Sequence, residues 1–209
     1  KAPHLLEMLE RTCRILEKYF GEYPWIKEKI GLCETPHLGM EHQTLIAYGN
    51  KFQYTKLGGE DFDWLLNHEF GHEWWGNKVT NSDWAHMWIQ EGICSYGDAL
   101  YYRDMEGEAS YQARMREIAR SQNSNIPVVR GEEVDSDSAY QGPIYGKGAF
   151  FMHTLRYVIG DAVFFPTLKK LATDPQYTYD HVVQTSDVEK LFSNVSGKNL
   201  KPLLFYENM

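Results

Sequence analysis

Apolar residues recur at helical spacing through the first twenty positions: Leu5, Leu9, Cys13, Leu16 and Phe20 share one face, and Gly21 follows as a stop. The pattern then changes. "MEHQTLIAYGNKFQYT" holds two runs of β-type residues around Gly49-Asn50, which predicts a two-residue hairpin. Helical spacing returns at Asp61, read as an N-cap, and continues to Gly76-Asn77. A second helix is predicted from after Asp83 to about Met105. Gly92 and Gly97 inside it each cost up to about 1 kcal/mol, which points to a backbone or a ligand approaching closely there. A third helix is expected over 108–121, followed by "SQNSNIPVVRGEEVDSDSAYQG", a stretch of loop composition long enough for a functional rim. Helix resumes over about 144–158 and again after Pro166. Ser186 and Glu189 read as a capping box for a short helix ending near Gly197, and an amphipathic segment follows Pro202.

No repeat, low-complexity tract or linker interrupts the chain, so the pattern predicts one α+β, mainly helical domain over 1–209. Its first part, 1–60, is a helix plus a β-hairpin; its second, 61–209, is helical. At 209 residues the chain can bury one good core. A net charge of −8 argues against nonspecific nucleic-acid binding and against a polybasic membrane contact. No apolar run approaches the roughly 20 residues of a membrane span. The start, "KAPHLLEMLE", has neither an initiator Met nor the apolar stretch of a signal peptide. It enters helical periodicity almost at once, which reads as a piece of a longer protein and leaves the compartment unreadable. Cys13, Cys33 and Cys94 are too few and too scattered for a thiolate metal site. They read as buried free thiols, with a Cys13–Cys33 bridge as the alternative. Any metal is therefore expected on nitrogen and oxygen.

"NHEFGHEWWGN" supplies the candidate chemistry. On a helix, His72 lies about 40° round from His68 and one turn along, so two imidazoles about 6 Å apart can share one ion. Glu69, about 100° from His68, cannot easily ligate that ion but can reach a water bound to it. Two surface histidines remain the competing reading until a third ligand is found. The candidate is Glu91 in "WIQEGICSY", expected about two turns into a second helix running back beside the first. Two His, one Glu and an open position make a catalytic rather than a closed set. Asp98, seven residues after Glu91, could bond the outer nitrogen of a ligand histidine, or could be a plain solvated acid. Trp74, Trp75, Trp84 and Trp88 are read as packing around the site. The other histidines, at 4, 37, 42, 86, 153 and 181, lack partner spacing and read as structural or surface residues.

"HEFGHEWWGN" followed by "WIQEG" resembles the gluzincin metallopeptidases of the M1 aminopeptidase family. Two further elements carry the resemblance in the right order. "LGMEHQT" resembles the family's Gly-x-Met-Glu-Asn motif upstream, and "IYGKGAFF" its Tyr-x-Lys-Gly-Ala element downstream. Together they span about residues 38 to 151. Leu38 and His42 depart from the motif, standing where the family has Gly and Asn. The resemblance implies a thermolysin-like zincin catalytic domain holding one Zn2+ on His68, His72 and Glu91. It implies peptide substrates with a free N-terminus, whose ammonium Glu41 binds while Gly39 and Met40 line the first pocket. It also implies a zinc-activated water with Glu69 as general base, and Tyr145 as donor to the oxyanion, with Tyr140 as runner-up. Further domains of the family are expected outside this chain. Two rival readings are an endopeptidase that has no use for Glu41 and a scaffolding module with a vestigial zinc site.

Overall fold

The computed structural model describes residues 1–121, 125–129, 131 and 134–204. Helix α1 (Ala2–Phe20) forms where the apolar spacing places it, burying Leu5, Leu9, Leu16 and Phe20. Strands β1 (Gly31–Glu34), β2 (Gly39–Met40) and β3 (Leu45–Tyr48) build a small sheet of order β1-β3-β2. β3 runs parallel to β1 and antiparallel to β2, so β2 is an edge.

The expected hairpin at Gly49-Asn50 does not form. A Cβ on Gly49 would meet the His37 carbonyl oxygen at 1.8 Å, so this glycine serves a close backbone crossing rather than a turn. The hairpin lies later, between β4 (Thr55–Leu57) and β5 (Glu60–Phe62), with Leu57 opposite Glu60. Gly58 (φ 59°) and Gly59 (φ 84°) both take the left-handed conformation that a tight two-residue hairpin requires.

Helix α2 (Trp64–Gly71) is capped by Asp63, not Asp61, and ends five residues before the expected Gly76. Asp61 is in β5 instead, facing Lys56 and His4. Strand β6 (Thr80–Asn81) pairs in parallel with a short strand near the far end of the chain. Asp83 does cap, but it caps a 3-10 turn at Trp84–His86, and α3 (Trp88–Glu106) follows it. Glu91 is thus in the first turn of α3, not two turns in. Helix α4 (Glu108–Ser121) matches the expected limits. Of the expected rim, 122–124, 130 and 132–133 lie outside the described residues; the remainder includes a one-turn helix, α5 (Ser136–Ala139).

Helix α6 (Gly142–Ile159) is followed by α7 (Asp161–Thr173), which begins before Pro166 and carries it in its second turn. Strand β7 (Val182–Val183) is the partner of β6. The capping box opening α8 (Thr185–Ser196) uses Gln184 and Asp187, two residues upstream of the expected pair, and Gly197 ends the helix in a left-handed conformation. Helix α9 (Lys201–Leu204) begins the last segment, whose remainder lies outside the described residues.

Helix α3 lies at the centre, packed by α1, α2, α4 and α6, and it is apolar on nearly every side. Glu91 and Asp98 are the only buried acids along it. Trp74, Trp75 and Trp88 are fully enclosed, whereas Trp84 is 43% exposed and belongs to the surface. All three cysteines are free, but only Cys94 is buried; Cys33 is exposed and Cys13 half-buried. No helix of the described residues is long and apolar enough to cross a membrane.

The two glycines of α3 differ. A Cβ on Gly92 would meet Gly148 Cα at 2.7 Å and the Ile144 carbonyl oxygen at 2.9 Å, both backbone atoms of α6. At Gly97 the nearest atom is Phe20 Cζ at 3.6 Å, an ordinary contact. Alanine gains about 1 kcal/mol of helix propensity at either site, while overpacking against backbone costs about 1–3 kcal/mol. Gly97→Ala is therefore expected to raise the urea midpoint and Gly92→Ala to lower it; equal shifts would contradict the close crossing.

Buried Arg156 gathers Glu108 and Asp161 at the junction of α4, α6 and α7. Burial works against the charged form of Glu108, but hydrogen bonds from Arg156, Gln112 and Arg103 outweigh it and hold the carboxyl down to about 2. A depressed acid stabilises above its unfolded pKa and loses that contribution as pH falls through the folded value. The stability difference between the wild type and Glu108→Gln should be full at pH 6 and vanish between about pH 4.5 and 2, as followed by thermal melts.

Candidate metal centre and cleft

The entry to α2 is fixed by Asp63, which accepts from the Leu66 amide and from the side chains of Tyr48 and Asn50. One turn later α2 presents His68 and Glu69, and His72 follows at its C-terminal cap. Here the helix tightens, Glu73 N donating to Phe70 O and Trp74 N to Gly71 O, and then ends. The Trp75 carbonyl, no longer committed to a helix, accepts from His72 Nδ1 at 2.8 Å. An acceptor there holds a proton on Nδ1, so in the neutral ring it is Nε2 that carries the lone pair.

His72 Nε2 faces further polar atoms. His72 Nε2 lies 3.3 Å from His68 Nε2 and 3.3 Å from Glu91 Oε2, and His68 Nε2 lies 3.2 Å from the same oxygen. A tetrahedral ion with bonds of about 2.0–2.1 Å spaces its ligands about 3.3–3.4 Å apart, and nitrogen–oxygen donors of this kind suit zinc. Burial works against the Glu91 charge, but His72 and His68 hold its carboxyl far below the usual range, so it is present as an anion. Three converging electron-pair donors, buried or nearly so, fit a divalent cation in both spacing and chemistry.

Glu69 points to the same space without joining the triad. Burial pushes its carboxyl up to about 7, with the histidines pulling the other way and Glu41 and Glu91 adding to the rise. Ligating atoms of Glu41, Glu69 and His72 all lie within 4.8 Å of one another. Two contacts put Glu41 there. Glu73, one turn after Glu69, accepts from the Thr44 amide at 2.8 Å, and Asn77 bridges Glu73 to the Glu41 carbonyl. A Cβ on Gly39 would lie 2.3 Å from Glu69 Oε1, so only glycine lets the β2 backbone rest on that carboxylate.

Tyr145 stands on α6 with its ring centroid 6.1 Å from that of His68. Burial, then the Glu91 charge, pushes its hydroxyl well above the usual range and keeps it a donor. Tyr140, 40% exposed and packed on Trp84, opens on the same cleft, its hydroxyl pushed by burial up to about 12. Asp98 is buried, but its hydrogen bond comes from Asn67 and its ion pair from Arg114, while the outer nitrogen of His72 is taken by Trp75.

All nine residues singled out in the sequence line one cleft of about 540 Å³: Gly39, Met40, Glu41, His68, Glu69, His72, Glu91, Asp98 and Tyr145. Sequence reasoning missed Glu73, Asn77, Asn67 and Arg114. The four-residue spacing of Glu69, Glu73 and Asn77 was a usable signal as a run of polar residues beside the histidine pair, although only Glu69 of the three is in α2. Nothing local marks Arg114.

A family model described as the peptidase family M1 domain matches residues 5–206. Leucine aminopeptidase 2 of Eremothecium gossypii is 27% identical over 175 residues, 77% of this chain and 27% of that protein. Aminopeptidase B of Rattus norvegicus is 27% identical over 180 residues, 76% of this chain and 26% of the relative. The chain thus spans about a quarter of the length of these curated relatives. Among solved structures, an M1 zinc metallopeptidase from Deinococcus radiodurans superposes with a TM-score of 0.78 at 25% identity, covering 95% of this chain and 43% of the other. A yeast LTA4 hydrolase shares the fold, with a TM-score of 0.80 at 19% identity over 99% of this chain and 36% of its own.

Loss of an outer partner of a zinc ligand lowers affinity about 10–100-fold, so loss of a ligand should cost more. Glu91→Gln is expected to weaken zinc binding by more than about a hundredfold in competition with a chromogenic chelator. Wild-type affinity in that variant would place the ion elsewhere.

Proposed function

The chain belongs to peptidase family M1, and on that premise we propose that residues 1–209 form one catalytic domain of a zinc aminopeptidase. It removes the N-terminal residue of peptides, with His68, His72 and Glu91 holding one zinc ion. The observation that carries this reading is the placement of the Glu41 carboxylate beside Glu69 and His72. An endopeptidase has no need of an acid there; a free α-ammonium does.

Zinc, when bound, supplies a Lewis acid for the scissile carbonyl and makes water a competent nucleophile near neutral pH. The remaining steps belong to side chains of this domain. Glu41 takes the substrate ammonium and so measures one residue to the scissile bond. β2 has β3 on one side only, and its free edge at Gly39 and Met40 receives the substrate backbone as an added strand. Glu69, raised towards neutrality by burial, accepts the proton of the attacking water and delivers it to the leaving amine. Tyr145, kept protonated, donates to the oxyanion that develops on the carbonyl.

Two measurements test the proposal. Glu69→Gln should bind zinc as tightly as the wild type and lose turnover by at least about 10²–10⁴-fold; unchanged turnover would refute the assigned base. One peptide offered with a free and with an acetylated N-terminus should be cleaved only when free, and equal cleavage would identify an endopeptidase.

A further inference from the structure

We propose that Arg114 anchors a substrate carboxylate at the end of the cleft remote from Glu41; this rests on the aminopeptidase reading. The two helices that carry the metal ligands set the direction. Glu91 of α3 meets His68 and His72, and seven residues on, Asp98 meets Asn67 of α2. Glu41 belongs to the other end, tied by its carbonyl to Asn77, five residues beyond His72. The cleft therefore has a carboxylate at one end, the metal ligands between, and the guanidinium of Arg114 at the other, all on its lining. A peptide with a free ammonium and a carboxylate matches that polarity.

Arg114 is held in place but not used up. Tyr102 covers one face of the guanidinium at 5.5 Å, and Glu117 accepts from Nη1 at 3.2 Å. Asp98 stands 3.7 Å from Nη2, close enough to fix the charge but beyond a hydrogen bond. Nε is enclosed without a partner among the described residues. Among the described residues one of its five donors is therefore hydrogen-bonded, while the side chain keeps 28% exposure and Asp98 only 8%. Its ion pair with Asp98 has no hydrogen bond in it, and Arg114 lines the cleft together with Asp98. From Glu91 to Asp98 is about 10 Å along α3, and an extended peptide advances about 3.3–3.6 Å per residue. The carboxylate is then two to three residues beyond the scissile bond, as the C-terminus of a tri- or tetrapeptide or as an acidic side chain in a longer one.

The test uses the full-length zinc-loaded protein. Trialanine and tetra-alanine are offered as C-terminal acids and as amides, and the amides again with Glu as the last residue. Hydrogen bonds to charged groups predict an acid-over-amide preference of roughly 10–100-fold in kcat/KM, carried by KM. The ratio should fall towards one in Arg114→Gln and recover in part in Arg114→Lys. Recovery of the preference by the Glu-bearing amides assigns a side-chain carboxylate, and no recovery assigns the C-terminus. Calorimetry of the same peptides on Glu69→Gln protein reads the preference without turnover. Should the variants at 114 fail to fold, the wild-type ratios still decide. Equal cleavage and equal binding of acid and amide overturn the role of Arg114 and leave the aminopeptidase standing. Absence of cleavage of every peptide overturns both.

Discussion

The site depends on a contact that contains no functional group. Gly92 of α3 and Gly148 of α6 cross with their backbones in touch, a Cβ on either falling 2.7–2.8 Å from the other's Cα. Glu91 precedes the first glycine by one residue, and Tyr145 precedes the second by one helical turn. Spacing between Glu91 and Tyr145 is therefore a property of how near two helix axes come, not of either side chain. Helices with ordinary residues at the crossing pack about 8–10 Å apart, and only small residues allow less. Two glycines at the centre of otherwise well-formed helices cost about 1 kcal/mol each in propensity. The cost is local; the gain is placement of two side chains from different elements on one cleft.

A second constraint is electrostatic. Glu69, Glu73, Glu91 and Asp98 are all buried on α2, the turn that follows it and α3, in a chain already carrying net charge −8. Burial of a carboxylate is tolerated only with hydrogen bonds or an opposite charge. Each of the four has a different solution. Glu73 has the Thr44 amide and Asn77, Asp98 has Asn67 and Arg114, and Glu91 has the two histidines. Burial raises Glu69, Glu73 and Asp98 alike, but Glu69 alone has no hydrogen-bond donor in contact among the described residues, and burial pushes it up to about 7. The acid left without a partner is the one whose proton affinity is suited to proton transfer near neutral pH.

Much of this was legible in the sequence where the signal is local and periodic. The apolar face of α1, both ends of α4 and the His-Glu-x-x-His spacing depend on residues within a few turns, and they appear as read. Pairings between distant segments were not legible. β3 joins β1 in parallel across a gap of ten residues, and no composition rule distinguishes that from a hairpin partner close by. Gly49 was misread for the same reason: what requires it is the carbonyl of His37, brought near by the sheet. Gly58-Gly59, the true turn, was the stronger hairpin signal by chemistry, since both residues need positive φ. Arg114 reaches the cleft only because α4 folds back along α3, which no motif announces.

The end of α2 shows how a boundary error of a few residues conceals chemistry. The sequence suggested a helix continuing to Gly76, and the two histidines would face one ion in either case. A continued helix would, however, give the Trp75 carbonyl to the amide four residues on, and the outer nitrogen of His72 would lose its acceptor. With the helix ending at Gly71, the chain turns through Gly76 at φ 134°, Val79 N bonds Trp74 O instead, and the Trp75 carbonyl is free for His72 Nδ1. Which imidazole nitrogen carries the proton, and so whether the other can bind a cation, is decided by where a helix stops. His-Glu-x-x-His spacing brings the rings together; the tight turn after it gives one of them the acceptor that turns its other nitrogen towards the shared space.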